Sequence, residues 1–238
     1  VNEAPVITSD DSASFDEEGT GTVYTVVATD VDAGDKITYS LSGDDADLFN
    51  IDSSGAITFV SAPDFETPKD SGEDNVYNVT ITATDDDTSP LSTTQDVAIT
   101  VTNVNDKPVI TSSTTKAIPE TSSAEQAIYT VAASDADGND LTYSFADGSL
   151  ETDHFTMNKD TGEVFLKSGT NVDFETLDGN GVDAYSFQVI ASDGSSSSDA
   201  THVSVSVTNV NENPVAVVYN AEIGSGFPTY LHIPANVE

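Results

Sequence analysis

The stretch Asn103-Val104-Asn105-Asp106-Lys107-Pro108 lies near the middle of the chain and decides how the rest is organised. Related stretches occur at the start, Val1-Asn2-Glu3-Ala4-Pro5, and towards the end, Asn209-Val210-Asn211-Glu212-Asn213-Pro214. Each lies next to a run of alternating apolar and polar residues. Each also ends in a proline, which fixes φ and cannot continue a hydrogen-bonded ladder. The pattern indicates a short linker, rich in side chains with oxygen atoms, that recurs once per repeat.

A comparison of the sequence with itself shows a tandem duplication. The segment Pro5-Val6-Ile7-Thr8-Ser9 matches Pro108-Val109-Ile110-Thr111-Ser112, and Asp64-Phe65-Glu66-Thr67 matches Asp173-Phe174-Glu175-Thr176. We therefore expect two domains, residues 1–103 and 104–210. We expect residues 211–238 to be a linker with the start of a truncated or different domain, or a tail added for expression. Because the chain starts inside a repeat, we also expect it to be part of a longer protein.

Alternating apolar and polar residues predict short β-strands in each repeat. Residues 23–28, 37–41, 77–83 and 97–101 have this pattern, and Ser53-Ser54-Gly55 and Lys159-Asp160-Thr161-Gly162 read as hairpin turns. The residues that we expect to be buried on one strand face are Tyr77, Val79, Ile81 and Ala83, with their counterparts Tyr185, Phe187, Val189 and Ala191. About seven strands per repeat and no helical period predict an all-β fold of two tandem Greek-key β-sandwiches.

The composition excludes several classes of protein. The chain has 42 acidic residues against 6 lysines and a formal charge of −36, so nucleic acid and anionic membranes are poor partners. It is 37% hydrophobic, in strand-like periodicity, which argues against disorder. It has no cysteine for disulfides, and no apolar run approaches the roughly 18 residues of a membrane span. So many carboxylates favour hard cations, which prefer oxygen ligands.

Acidic motifs recur in the same order in both repeats, at the ends of the predicted strands. The motifs of the first repeat are Asp16-Glu17, Asp30-Val31-Asp32, Asp64-Phe65-Glu66, Ala83-Thr84-Asp85 and Asn103-Val104-Asn105-Asp106-Lys107. Those of the second are Pro119-Glu120, Asp135-Ala136-Asp137, Asp173-Phe174-Glu175, Ala191-Ser192-Asp193 and Asn209-Val210-Asn211-Glu212-Asn213. Any single pair could be a solvated strand end. Five motifs repeated in one order favour calcium, which takes about six to eight oxygen ligands.

This set of motifs resembles the cadherin repeat in its bacterial form, over residues 1–214. The resemblance implies calcium ions at the junction of the two repeats. The implied junction ligands are Glu17, Asp64, Glu66, Asn105, Asp106, Asp135, Asp137, Asn139 and Asp193, with the carbonyl groups of Val104 and Lys107. The implied ligands of two outer sites are Asn2, Glu3, Asp30, Asp32 and Asp85 at one end, and Glu120, Asp173, Glu175, Asn211 and Glu212 at the other.

The sequence departs from the family pattern at a few positions. Phe65 stands where the family has arginine, and Lys107 stands where it often has asparagine. Neither change removes an implied ligand, because Lys107 is needed only for its carbonyl. Glu3 and Glu212 replace the linker aspartate, which we expect to weaken the outer sites.

Enzymatic function is not supported by the sequence. Paired carboxylates could serve a glycosidase, but every pair occurs twice and no tryptophan is present to stack on a sugar. His154, His202 and His232 do not recur between the repeats, and no nucleophile elbow, zinc motif or phosphate loop is present.

We therefore expect a secreted or cell-surface adhesion or extender module of a large bacterial protein, made rigid by Ca²⁺ between neighbouring repeats. The alternative is a calcium-dependent module that binds polysaccharide. The sequence leaves open whether adhesion is homophilic, to another cell-surface adhesin, or to a glycan.

Overall fold

The computed structural model describes residues 1–32, 34–149, 152–170, 172–175 and 185–211. Within these residues the chain forms strands together with two 3-10 helices, Ala46–Leu48 and Thr152–His154. No helix in this part of the chain is long and apolar enough to cross a membrane. The predicted ligand Glu212 and the segment 212–238 lie outside the described residues.

Each repeat contains nine short strands within the described residues. Those of the first repeat are β1 (Val6–Ile7), β2 (Ser12–Asp16), β3 (Thr22–Thr25), β4 (Ala28–Thr29), β5 (Thr38–Ser42), β6 (Phe49–Ile51), β7 (Ala56–Phe59), β8 (Val76–Thr84) and β9 (Ser92–Thr102). Those of the second are β10 (Val109–Ile110), β11 (Thr115–Pro119), β12 (Ala127–Thr130), β13 (Ala133–Ser134), β14 (Thr142–Phe145), β15 (Phe155–Met157), β16 (Glu163–Leu166), β17 (Tyr185–Ser192) and β18 (Thr201–Thr208).

The strands form the same set of sheets in both repeats. In the first, a four-stranded sheet has the order β2-β9-β8-β5, a three-stranded sheet has the order β3-β7-β6, and β1 pairs with β4. In the second, the corresponding orders are β11-β18-β17-β14, β12-β16-β15 and β10-β13. Strands β2 and β9 are parallel, as are β11 and β18, whereas β8 and β9 are antiparallel. The predicted all-β sandwich is confirmed.

One of the predicted strands is broken, which corrects the expectation of one continuous strand over residues 23–28. Strand β3 pairs with β7, while β4 pairs with β1, so the chain changes partner between them. At the break, Val26 is buried and its N–H donates to the carbonyl of Gly55, whereas Val27 is exposed. Buried and exposed residues still alternate through the break, so it is the change of pairing partner that divides this stretch into two strands. Each repeat therefore has nine short strands where the sequence predicts about seven.

The core lies where the alternation of the two long strands predicts it. Tyr77, Val79, Ile81 and Ala83 of β8 are all buried. Their counterparts Tyr185, Phe187, Val189 and Ala191 of β17 are buried as well. Side chains of a strand point alternately to opposite faces, so every second residue of β8 and β17 can reach the core. Burial of this apolar surface is the main term that stabilises each sandwich.

A glycine in each hairpin turn is required by a close backbone approach. Gly55 and Gly162 have φ values of +83° and +70°. A Cβ atom would lie 2.7 Å from the Val26 carbonyl oxygen at the first position and 2.5 Å from the Val131 carbonyl oxygen at the second. Only glycine combines this conformation with this contact at little cost. The turns that the sequence predicts are therefore fixed by backbone geometry.

The chain packs into two compact units whose limits differ from those of the sequence repeats. The first comprises the described residues of Val1–Val109, Ala133–Leu141 and Ala191–Ser198. The second comprises residues 110–132, 142–149, 152–170, 172–175, 185–190 and 199–211. The first unit thus includes the linker together with two acidic loops that the sequence assigns to the second repeat.

Candidate metal centre

Three acidic residues of the first unit meet next to the linker. Glu17 follows β2, Glu66 lies in the loop between β7 and β8, and Asp106 belongs to the linker itself. Each offers a carboxylate oxygen that lies within 4.8 Å of those of the other two. Glu17 is buried, and Glu66 and Asp106 are partly buried. Three carboxylates at this spacing can bind one cation with oxygen ligands.

Glu17 fixes this arrangement through backbone N–H groups. Its Oε2 accepts a hydrogen bond from the N–H of Phe65 at 2.7 Å, and its Oε1 accepts one from the N–H of Val104 at 2.7 Å. The Glu17 side chain is only 4% exposed. Hydrogen bonds to a carboxylate are among the stronger ones in proteins, and here they hold the Asp64–Glu66 segment and the linker to one side chain.

The Asp64–Glu66 segment is also held from its other side. The Nδ2 of Asn75 donates to the carbonyl of Phe65 at 2.9 Å. The N–H of Asn75 in turn donates to Oδ1 of Asp70 at 3.0 Å, and Asp70 is 3% exposed. Burial would raise the pKa of Asp70, but hydrogen bonds from the N–H groups of Asp74 and Asn75 lower it below its usual value. The buried Asp70 therefore stays ionised and supports the segment.

Buried carboxylate oxygens without donors occur at this cluster, on Asp135 and in a separate acidic group that contains Asp30. Within the described residues, Oε2 of Glu66, Oδ2 of Asp30 and Oδ2 of Asp135 are buried and have no hydrogen-bond partner. A buried polar atom without a partner is costly, and a buried charge is more so. All three atoms are carboxylate oxygens, the ligand type that Ca²⁺ prefers. The donor set therefore fits the ion that the sequence predicts.

Burial, followed by repulsion between carboxylates, shifts the protonation equilibria of this cluster. Burial raises the pKa of Glu66 and that of Asp106, and the charge of Glu17 raises both further. Asp193 shows the opposite shift, because hydrogen bonds from the Ser196 N–H and from the side chain of Asn105 lower its pKa. A divalent cation among the first group would favour the ionised carboxylates and relieve the repulsion.

The two acidic loops of this unit are held to the linker by N–H donors. The N–H of Asp106 donates to Oδ2 of Asp137 at 2.7 Å. The Nδ2 of Asn105 donates to Oδ2 of Asp193 at 2.8 Å. Asn103, which the sequence analysis did not select, donates to Oδ1 of Asp137 at 2.6 Å. Asp137 and Asp193 therefore lie against the linker, as predicted ligands must.

The remaining predicted junction residues surround a cavity of about 700 Å³ in the same unit. Asp64, Lys107 and Asp135 line it together with Glu17, Glu66 and Asp106. Oδ1 of Asp135 accepts hydrogen bonds from the N–H and the Nδ2 of Asn139, both at 3.2 Å. The N–H of Val104 donates to Glu17, and its carbonyl group is the predicted ligand. Which of these residues bind a metal stays a prediction.

A second acidic group lies at the end of the first unit that contains the N-terminus. Oxygen atoms of Asp30, Asp32 and Asp35 lie within 4.8 Å of one another. Burial, followed by the charge of Asp30, raises the pKa of Asp35. The predicted ligands Asn2, Glu3 and Asp85 are close by. Nδ2 of Asn2 donates to Oδ2 of Asp85 at 3.1 Å, and the N–H of Glu3 donates to Oδ2 of Asp32 at 2.9 Å.

The second unit repeats the geometry of the first. Oxygen atoms of Glu120, Asp173 and Glu175 lie within 4.8 Å of one another. Oε2 of Glu120 accepts from the N–H of Phe174 at 2.9 Å, and its Oε1 accepts from the N–H of Val210. These are the counterparts of the two Glu17 bonds. The predicted ligand Asn211 follows Val210 and is exposed.

Asn103 and Asp35 are the residues that reasoning from the sequence missed. Asp35 had a visible signal, because it is the third acidic residue of the loop that contains Asp30 and Asp32. Asn103 also had one, because Asn209 repeats it in the second linker and donates to Oε1 of Glu175 at 2.7 Å. An amide within a cluster of carboxylates can donate two hydrogen bonds, which a carboxylate cannot.

We predict that Glu17→Gln lowers the free energy of unfolding in EDTA by about 1–3 kcal/mol, because the amide nitrogen would face one of two N–H donors and leave it unpaired. Urea unfolding of both proteins measures the difference. The matched control is Glu18→Gln, since Glu18 is the exposed neighbour with the same charge. Equal losses for the two variants would show that Glu17 does not hold the loop and the linker together.

The sequence of this chain is similar to those of known proteins. A sequence model of the cadherin domain matches residues 11–102 and 114–208. Human protocadherin Fat 1 is 36% identical over 193 residues, which cover 77% of this chain and 4% of that protein. Human protocadherin-1 is 32% identical over 176 residues, which cover 71% of this chain and 16% of that protein. The chain thus spans only a small part of the length of these relatives.

Solved structures show the same fold. The first two extracellular domains of human protocadherin-24 superpose with a TM-score of 0.56 at 22% identity, covering 87% of this chain and 100% of theirs. Domains 22–24 of mouse cadherin-23 superpose with a TM-score of 0.54 at 23% identity, covering 88% of this chain and 67% of theirs. The chain belongs to the cadherin family and consists largely of two tandem cadherin domains.

Proposed function

We propose that this chain is an extracellular adhesion or extender module, without enzymatic activity, that Ca²⁺ makes rigid. The observation that carries the proposal is that Oε2 of Glu66 is buried and has no hydrogen-bond donor within the described residues. Glu17 and Asp106 offer carboxylate oxygens nearby, so the three residues together can bind a cation. A cation at this point satisfies the orphaned oxygen and favours the ionised form of Glu66, whose pKa is raised first by burial and then by the charge of Glu17.

The proposed domains are residues 1–103 and 104–210, with residues 211–238 as the linker and start of a further segment. Calcium bound by Glu17, Glu66 and Asp106 would share its coordination with the acidic loops that carry Asp137 and Asp193. Such shared ligands would fix the orientation of consecutive domains, while each domain folds around its own core. A row of such domains extends a surface protein and can hold an adhesive site away from the cell.

The proposal also concerns the type of organism from which the parent protein comes. The form of the motifs favours a large bacterial surface or secreted protein. The relatives reported above are human proteins and do not support that placement. It therefore rests on the sequence alone.

We predict that calcium narrows the range of shapes in solution and raises the melting temperature of the chain. A ligand that binds only the native state adds RT ln(1 + [L]/Kd), about 4 kcal/mol at a thousandfold excess over Kd. Small-angle scattering and thermal melting in EDTA and in millimolar calcium measure both effects. Asp106→Ala should weaken both, because it removes a carboxylate from the cluster while leaving the two cores intact.

The control for that experiment is Asp44→Ala, which removes one exposed carboxylate outside the cluster. It should respond to calcium as the wild type does. A wild-type chain whose maximum dimension and melting temperature are the same in EDTA and in calcium would contradict the proposed function.

A second candidate function is calcium-dependent binding of polysaccharide, and one feature of the second unit favours it. An open groove of about 530 Å³ is lined by Tyr143, Phe145, Met157, Lys159 and Lys167, among others. Tyr143, Phe145 and Met157 are only partly buried against the core. Aromatic faces beside polar and charged groups are suited to ligands such as sugars, which have apolar and hydroxylated surfaces.

We predict for this candidate that a glycan array detects binding in calcium and that Tyr143→Ala abolishes it. Tyr39→Ala is the matched control, because Tyr39 occupies the corresponding position of β5 in the first repeat and is also partly buried. An array without signal in calcium and in EDTA leaves the extender role as the function of this chain.

A further inference from the structure

We propose that Asn103 braces the acidic cluster of the first unit with hydrogen bonds and thereby limits its calcium affinity. This inference rests on the proposed function and names the residue that regulates its site. Asn103 lies directly after β9, at the first position of the linker. Its side chain is the one amide of the described linker that contacts two different carboxylates.

The first step is the geometry of the amide. Nδ2 of Asn103 donates to Oε1 of Glu66 at 2.9 Å and to Oδ1 of Asp137 at 2.6 Å. An amide nitrogen carries two hydrogen atoms, so both contacts can form at once. The acceptors come from distant parts of the sequence, the loop before β8 and the loop after β13. Asn103 therefore joins two like-charged side chains without a cation.

The second step concerns what remains available for a cation. Oδ2 of Asp137 accepts from the N–H of Asp106 at 2.7 Å, so both oxygens of Asp137 are engaged by N–H donors. Glu66 uses Oε1 for Asn103 and keeps Oε2 free and buried. A cation can therefore bind Oε2 of Glu66 without displacing a hydrogen bond. To bind either oxygen of Asp137, it must share that oxygen with an N–H donor or displace the donor.

The third step is charge. A neutral amide adds no charge to a cluster in which Glu17, Glu66 and Asp106 already repel one another. Aspartate at position 103 would remove both donors and add a further negative charge beside Glu66 and Asp137. Like charges at this distance destabilise the protein in the absence of cations and strengthen the attraction for a divalent ion. The number of ligand charges is one of the factors that set the calcium Kd.

The second linker gives an internal parallel. Nδ2 of Asn209 donates to Oε1 of Glu175 at 2.7 Å, next to Glu120. The amide therefore recurs at the same place relative to the same acidic pair. The contact of the linker amide with the glutamate of the Asp-Phe-Glu motif is therefore common to both repeats, and the second acceptor, Asp137, is described for Asn103.

The experiment compares the full chain with Asn103→Asp and Asn103→Ala. Asn50→Asp is the control, because Asn50 is exposed on β6 and the change adds the same charge away from the cluster. Melting temperatures are measured in EDTA, and isothermal titration with calcium chloride gives the Kd. Asn103→Asp should melt several degrees lower than the control in EDTA and should bind calcium roughly tenfold more tightly than the wild type.

Asn103→Ala separates bracing from charge. It removes the donors without adding a charge, so it should melt lower in EDTA and should not reach the calcium affinity of Asn103→Asp. If Asn103→Asp binds calcium no more tightly than Asn50→Asp, or if both Asn103 variants melt like the wild type in EDTA, the inference is wrong. If the wild type itself gives no calcium heat, the proposed function fails, and the EDTA melts still decide whether Asn103 is a brace.

Discussion

Repulsion among carboxylates that are gathered around a short linker is the constraint on which the structure of this chain depends. Glu17, Glu66 and Asp106 bring oxygen atoms within 4.8 Å of one another, in a protein with a formal charge of −36. Such a cluster is stable only if donors or cations compensate each charge. Backbone N–H groups supply part of this compensation, but none of the described donors reaches Oε2 of Glu66.

The hydrogen bonds of the cluster connect the fold to the proposed function. Glu17 accepts from Phe65 and Val104, and Glu120 accepts from Phe174 and Val210 in the same way. The end of each sandwich is thereby tied to the linker that follows it. The buried Oε2 of Glu66, which has no donor within the described residues, remains for a cation. The hydrogen bonds from N–H donors hold the linker whether or not calcium is present. The contribution proposed for calcium would depend on the calcium concentration.

Much of the fold could be predicted from the sequence, because burial in a strand follows a period of two. Tyr77 to Ala83 shows this clearly, and the repeated order of acidic motifs identified the family that the comparisons show. The break of the strand near Val26 could not be predicted, because it depends on β3 and β4 pairing with two different strands that are distant in the sequence. The local periodicity of a sequence contains no information about which strand will be the pairing partner.

The candidate site was predicted less completely, for a related reason. The ligands that the resemblance implies include the amides of Asn105 and Asn139 but not that of Asn103. The role of Asn103 depends on two acceptors from separate loops, which only the folded chain brings together. The predicted bacterial source depends on the parent protein and its environment, so it is not expressed in the packing of these residues.

The most direct test of the central claim is a crystal structure of the chain grown in millimolar calcium, with anomalous data to identify the ion. We expect an anomalous peak about 2.3–2.6 Å from Oε2 of Glu66, with oxygens of Glu17 and Asp106 completing the coordination. An Oε2 that accepts a hydrogen bond from a protein donor or a water molecule, with no ion near Glu66, would contradict the account.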